Sequence, residues 1–177
     1  MRNRGTLGGS LAHADPSADY PAAMLALDAT VQVQGPKGSR GVAARDFFQG
    51  VFTVDLAPDE IIVAVRFAPV RSGAYARLRQ RASHFAIVGV AAALDVSGGV
   101  IKQARVGVTG AGPSATRLTA VEEALAGKPA TAATVTDAAA LATLDEVNAD
   151  LHGSEEYRRA MTKVFARRAL RGALARA

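Results

Sequence analysis

Chemistry in this chain is concentrated near its start. Thr6-Leu7-Gly8-Gly9-Ser10 is followed by His13, Asp15-Pro16 and Asp19. Adjacent glycines let a backbone come close to a ligand. Successive free amides in such a turn make a concavity that suits an anion. Thr6 and Ser10 add hydroxyl donors on either side, and Asp15 and Asp19 offer acceptors for ribose hydroxyls. The set fits a pyrophosphate-bearing cofactor, and it predicts a loop whose Gly8 and Gly9 amides face an open cleft. It is neither the G-x-G-x-x-G fingerprint nor a phosphate loop with its lysine. The same residues also read as a tight turn that serves only the chain direction.

The rest of the composition narrows the setting. The chain has 177 residues and no cysteine, so it offers no disulfide, no thiolate nucleophile and no Cys-ligated zinc or iron–sulfur centre of its own. With three histidines in total, His13 reads as a loop residue and no metal site is expected. A 49% hydrophobic and 21% charged mixture argues against disorder. The longest nearly apolar run, Phe85 to Leu94, is about half of what a bilayer span needs, so no membrane span is expected. The opening residues show no apolar signal segment, and a soluble cytoplasmic protein is the expectation. The net charge is +5, and from Arg158 to Arg176 there are seven bases and no acid. That run reads as a solvated helix face whose cations suit a helix C-terminus. No aromatics are interleaved as stacking platforms, so no nucleic-acid partner is expected.

Periodicity supplies the elements that would position these residues. Pro21 to Asp28 reads as a short apolar helix with proline in its first turn. Thr30 to Gln34 alternates as a half-buried strand, Gly35-Pro36-Lys37-Gly38 is turn chemistry, and Val42 begins a second strand. Arg45 to Gly50 reads as a helical turn, and Glu60 to Phe67 as the clearest strand. Pro69 to Gly73 reads as a linker between units 1–70 and 74–177. Beyond it, Tyr75 to Arg81 alternates large and small residues, and Ala86 to Val96 with Val100 to Thr109 flank Ser97-Gly98-Gly99 as a hairpin. Helices are predicted over Arg117 to Ala126, ended by Gly127, over Thr136 to Asn148, and from Glu155 onward behind Ser154 as N-cap. Tyr157, Met161, Val164 and Phe165 would be the apolar stripe of the last helix. Residues 75–177 are expected to fold without the first seventy.

Residues 2–21, Arg-Asn-Arg-Gly-Thr-Leu-Gly-Gly-Ser-Leu-Ala-His-Ala-Asp-Pro-Ser-Ala-Asp-Tyr-Pro, closely resemble the FAD-binding subunit of the molybdenum hydroxylases. These comprise the medium subunit of the aerobic carbon monoxide dehydrogenases and the flavin domain of the xanthine dehydrogenases. The similarity continues through Leu56-Ala57-Pro58-Asp59-Glu60-Ile61-Ile62, Tyr75-Ala76-Arg77-Leu78, Arg81 to Ala86, Glu155 to Arg159 and Arg167 to Leu170. The resemblance implies an α+β fold: part of a FAD-binding domain of the PCMH/vanillyl-alcohol-oxidase type, then a C-terminal α+β domain with a small antiparallel sheet and three helices. It implies FAD as cofactor, with the molybdenum cofactor on a large partner subunit and [2Fe–2S] clusters on a small one. Electrons would pass from those clusters through the FAD to an acceptor, and no acid–base catalyst is required here.

By position, the resemblance makes Thr6, Leu7, Gly8, Gly9 and Ser10 the pyrophosphate loop. Asp15 belongs to the family's Ala-Asp-Pro. Asp19 matches an acid that contacts the adenosine half, Ile62 an aliphatic residue beside the flavin, and Arg77 lies near a lysine that approaches it. Phe85 matches an aromatic position near the isoalloxazine in some members, although a core role is the favoured reading. His84 stands where an acid is common. The family's earlier glycine motif, resembling Ala-Gly-Gly-Thr/His-Ser, is absent, which predicts weak FAD binding by this chain alone. A further chain carrying that subdomain is an expected partner, and an apolar patch near Leu7, Leu11 and Met24 would mark the place. Two rival readings are a non-catalytic assembly module that docks without FAD, and a different flavin oxidase of the same cofactor fold.

Overall fold

The computed structural model describes residues 4–177. The chain opens with α1 (Leu7–His13) and α2 (Asp19–Ala26). Strands β1 (Thr30–Gly35) and β2 (Gly38–Ala43) form a hairpin closed at Gly35↔Gly38, where Gly38 has φ +116°. After α3 (Ala44–Phe47) and the small ribbon β3 (Phe48–Gly50) and β4 (Thr53–Val54), β5 (Ile61–Arg66) pairs antiparallel with the free side of β1. The sheet order is β2-β1-β5. A bulge at Gln32/Val33 shifts the register, so Ile62 and Val65, three apart, both reach the core of Leu11, Val31, Val33, Val42 and Phe47.

The second sheet has the order β6-β7-β8-β9, from β6 (Ser72–Arg79), β7 (Ala86–Ser97), β8 (Val100–Thr109) and β9 (Thr116–Arg117). Gly98 at φ +60° and Gly99 at φ +73° close the central hairpin in the left-handed pair of conformations that matches strand twist. Helices α4 (Thr119–Leu125), α5 (Ala132–Ala139) and α6 (Glu155–Leu174) follow. Period two splits this sheet into two faces. Val88, Val90, Ile101, Val106 and Val108 share a core with Leu125, Val135, Phe165 and Leu170 from the three helices. The opposite face carries Tyr75, Arg77, Ala91, Arg105, Gly107 and Thr109, and α2 lies on it. A Cβ on Gly107 would stand 2.3 Å from the Ala22 carbonyl oxygen, so glycine there permits close helix-on-strand packing, helped by Ala22, Ala26 and Ala91.

Several elements depart from the sequence expectation. The Thr6 to Ser10 segment is not a loop but the cap and first turn of α1. Helix α2 begins at Asp19, two residues early, because the missing amide of Pro21 falls among the first-turn donors that have no helical acceptor anyway. Arg117 belongs to β9 rather than to α4. Helix α5 starts at the Thr131 cap and has ended by Ala140, so Asp137 lies in its last turn and residues 141–148 are not helical. In α6 the buried line runs Arg158, Thr162, Phe165, Ala166, Ala169, Leu170 and Ala173, with Tyr157 exposed. A satisfied arginine takes the buried place that the sequence reading gave to the tyrosine.

Candidate functional site

Thr6 is extended, and its Oγ1 accepts the Gly9 amide at 3.0 Å, which starts α1. The Ser10 amide donates to the Thr6 carbonyl at 3.1 Å. The Gly8 amide has no acceptor among the described residues. Two glycines in a seven-residue helix disfavour it locally. The Thr6 cap and contact with β5 outweigh that: a Cβ on Gly8 would rest 3.6 Å from the Ile62 side chain. The structure thus brings Thr6, Gly8, Gly9 and Ile62 together. It also turns the Gly9 amide inward onto Thr6, not into a cleft. Leu7 is exposed, whereas Leu11 and Met24 are core residues. The expected patch on those three is replaced by Ile61, Val63 and Phe67 at 65%, 58% and 51% exposure.

Asp15 closes a local turn, its Oδ1 accepting the Ser17 amide at 2.8 Å. Asp19 sits in the first turn of α2, where negative charge is favoured. Its carboxylate accepts hydrogen bonds from the Tyr75 hydroxyl and from Arg77, both on β6. Tyr75 was not singled out from sequence. The signal was there: Tyr75 and Arg77 are two apart, hence on one face of a strand. Burial, and then the bond to Asp19, push the Tyr75 phenol well above its usual pKa, so it stays a donor. The hydroxyl fits because residue 89 on β7 has no side chain; a Cβ there would lie 2.2 Å from it.

Past β6, a turn at residues 80–85 carries Gln80, His84 at φ +64° and Phe85. Phe85 is half exposed rather than a core residue. It lines a cavity of about 210 Å³ with Asp15, Ser17, Gln80, His152 and Arg158.

The comparisons with known proteins follow this division of residues. Residues 1–70 match the FAD binding domain in molybdopterin dehydrogenase, and residues 73–173 match the CO dehydrogenase flavoprotein C-terminal domain. The chain belongs to the CO dehydrogenase flavoprotein family. It is 36% identical over 180 residues to the carbon monoxide dehydrogenase medium chain of Hydrogenophaga pseudoflava, covering 99% of this chain and 63% of that one. It is also 36% identical over 174 residues to the nicotine 6-hydroxylase medium subunit of Paenarthrobacter nicotinovorans, covering 96% of this chain and 61% of that one. The solved Hydrogenophaga pseudoflava carbon monoxide dehydrogenase that lacks the Mo-pyranopterin moiety superposes with a TM-score of 0.92 at 37% identity, over 99% of this chain and 62% of that one. The chain therefore spans a little under two thirds of the length of these relatives. Among the described residues no helix is long and apolar enough to cross a membrane.

Proposed function

We propose that this flavoprotein chain holds FAD in an electron-transfer subunit of a molybdenum hydroxylase complex. A small subunit with [2Fe–2S] clusters would deliver electrons, a large molybdopterin subunit would act on substrate, and an acceptor would take the electrons onward. The observation that carries the reading is the meeting of Thr6, Gly8 and Ile62 from two distant elements, next to a Gly8 amide that has no acceptor among the described residues. That donor set fits a pyrophosphate: the Gly8 amide, the Thr6 hydroxyl whose proton is not spent on its cap, and the Ser10 hydroxyl.

The bound flavin would supply the redox chemistry, and the chain supplies binding, orientation and charge. Thr6, Gly8 and Ser10 would hold phosphate oxygens, with Leu7 and Gly9 completing the turn. Ile62 would present an apolar wall beside the ring. Asp19 and Arg77, already paired with each other, would hold one carboxylate oxygen and one guanidinium edge in place, with Asp15 keeping the intervening turn closed.

A second reading, a docking module that works without FAD, is favoured by the exposure of Ile61 and Val63 on the edge strand β5 and of Phe67 just beyond its end. Titration of the purified chain with FAD, followed by flavin fluorescence, and the same titration after co-expression with a family N-terminal subdomain separate the two. The flavin reading expects weak binding alone and tight binding after co-expression. Each lost amide contact to the phosphates is worth about 1.5–3 kcal/mol, so two of them amount to roughly two to four decades in affinity. No flavin in either preparation would leave the docking module.

A further inference from the structure

Among the described residues four polar side chains are buried: Ser72, Thr109, Arg158 and Thr162. Arg158 and Thr109 reach the same ends of β7 and β8 from opposite faces of the sheet, and Thr162 bonds Arg158 within α6. The Arg158 guanidinium, 3% exposed, donates through Nη1 to the carbonyls of Ile87 at 2.7 Å and Gly110 at 2.8 Å, and through Nη2 to Asp150 at 2.7 Å. The Thr162 hydroxyl bonds the Arg158 carbonyl at 2.8 Å. On the α2 side of the same strand ends, the Gly110 amide donates to Pro16 at 2.7 Å and the Ala86 amide to Ser17 at 3.2 Å. The Thr109 hydroxyl lies 2.9 Å from the Pro16 carbonyl oxygen and 2.8 Å from that of Ala18. Gly110 is the relay, because its carbonyl faces Arg158 and its amide faces Pro16. Its φ of +81° and the 2.5 Å that would separate a Cβ from the Ala86 carbonyl oxygen leave no room for a side chain.

We propose that Arg158 is a positioning residue for the cofactor site. Acting through Gly110 and Ile87, it fixes the strap of residues 15–18, and the strap sets the distance between the glycine turn of α1 and Asp19 of α2. A buried guanidinium is costly unless every donor is placed, and an apolar side chain of similar volume serves stability as well or better. What the apolar side chain cannot do is orient three separate backbone segments at once, which the planar fork does. Arg159, one residue on, is the contrast: it is partly exposed and bonds Glu155 and the Leu144 carbonyl, neither of which lies on β7 or β8.

The purpose assigned here rests on the flavin reading, but the coupling does not, so the test has two arms. In the first, hydrogen exchange is followed on the full chain for the unaltered protein, Arg158→Met and Arg159→Met. The amides of Ser17, Ala18 and Gly110 should exchange at least about tenfold faster in Arg158→Met alone, with the β1–β2 hairpin unchanged. Unchanged exchange at residues 17 and 18, or an equal acceleration everywhere, overturns the proposal. If Arg158→Met does not fold, Arg158→Lys, which keeps the charge without the fork, is scored by the same criterion. In the second arm FAD is titrated into the co-expressed assembly. The dissociation constant should rise at least about tenfold in the Arg158 variant. Unchanged affinity with a loosened strap overturns the positioning role. An unaltered assembly that takes no FAD refutes the flavin reading, while the first arm still decides the coupling.

Discussion

Arg77 on β6 and Asp19 at the start of α2 are ion-paired across 58 residues of sequence. With Tyr75 on the same carboxylate, the pair joins the glycine-bearing half of the chain to the second sheet at the proposed cofactor site. Both partners are partly solvated, so the pair positions more than it stabilises, contributing at most about 1 kcal/mol.

Arg77→Met should accordingly shift unfolding by no more than about 1 kcal/mol. In the co-expressed assembly it should weaken FAD binding by about tenfold or more. Thermal unfolding and flavin fluorescence titration read the two effects separately. A full loss of stability with unaltered affinity would make the pair structural only.

Gly9→Ala places a Cβ 2.8 Å from the Thr6 hydroxyl and displaces the cap. Cap loss costs about 0.5–2 kcal/mol. Removing a glycine from a helix returns about 1 kcal/mol. Stability should therefore stay near that of the unaltered chain while FAD retention falls. Normal FAD content in this variant would show that the turn is not the pyrophosphate site.

Gly107→Ala should cost at least as much as Gly98→Ala, and by a different route. At residue 107 the Cβ meets backbone, the Ala22 carbonyl oxygen at 2.3 Å; at residue 98 it meets open space and only the φ of +60° is unfavourable. Overpacking costs about 1–3 kcal/mol, and the left-handed conformation about 1–2 kcal/mol. Gly107→Ala alone should also loosen α2, seen as faster exchange of its amides. Equal effects confined to the hairpin would refute the close approach.

The fragment 75–177 lacks α2, so one face of β7 and β8 loses its cover. It should unfold at a lower temperature than the full chain and bind an apolar dye at that face. A fragment as stable as the full chain would show that α2 adds nothing to the second unit.

Glu60 is held down to about 2 by the Arg40 hydrogen bond first and the Ala57 amide second. Its folded pKa is depressed below the ordinary value of about 4.3, so its contribution is present above that value and is lost as pH falls toward 2. Comparing thermal midpoints of Glu60→Gln and the unaltered chain across pH should show a difference at neutral pH that closes between about 4.3 and 2. A constant difference down to the lower limit would refute the Arg40 clamp.

Local chemistry made much of this protein legible without coordinates. Gly98-Gly99 between two strand-like runs permits little but a hairpin, and Ser154 before Glu155-Glu156 starts a helix at one place. Residue types at Thr6 to Ser10 suited either an anion-binding loop or a plain tight turn, and neither reading contained the helix start that the structure has there. Contacts between elements were not legible, because periodicity names a face but not its partner. Whether Tyr157 or Arg158 is buried depended on carbonyls of Ile87 and Gly110, 71 and 48 residues away. That the glycine turn is a helix start depended on Ile62 lying behind Gly8. That α2 belongs against the second sheet depended on Gly107 leaving room for it. Propensity and capping act within a few residues and so are written in the chain. Burial, ion pairing and close backbone approach are settled only when distant segments compete for the same space and the same hydrogen bonds.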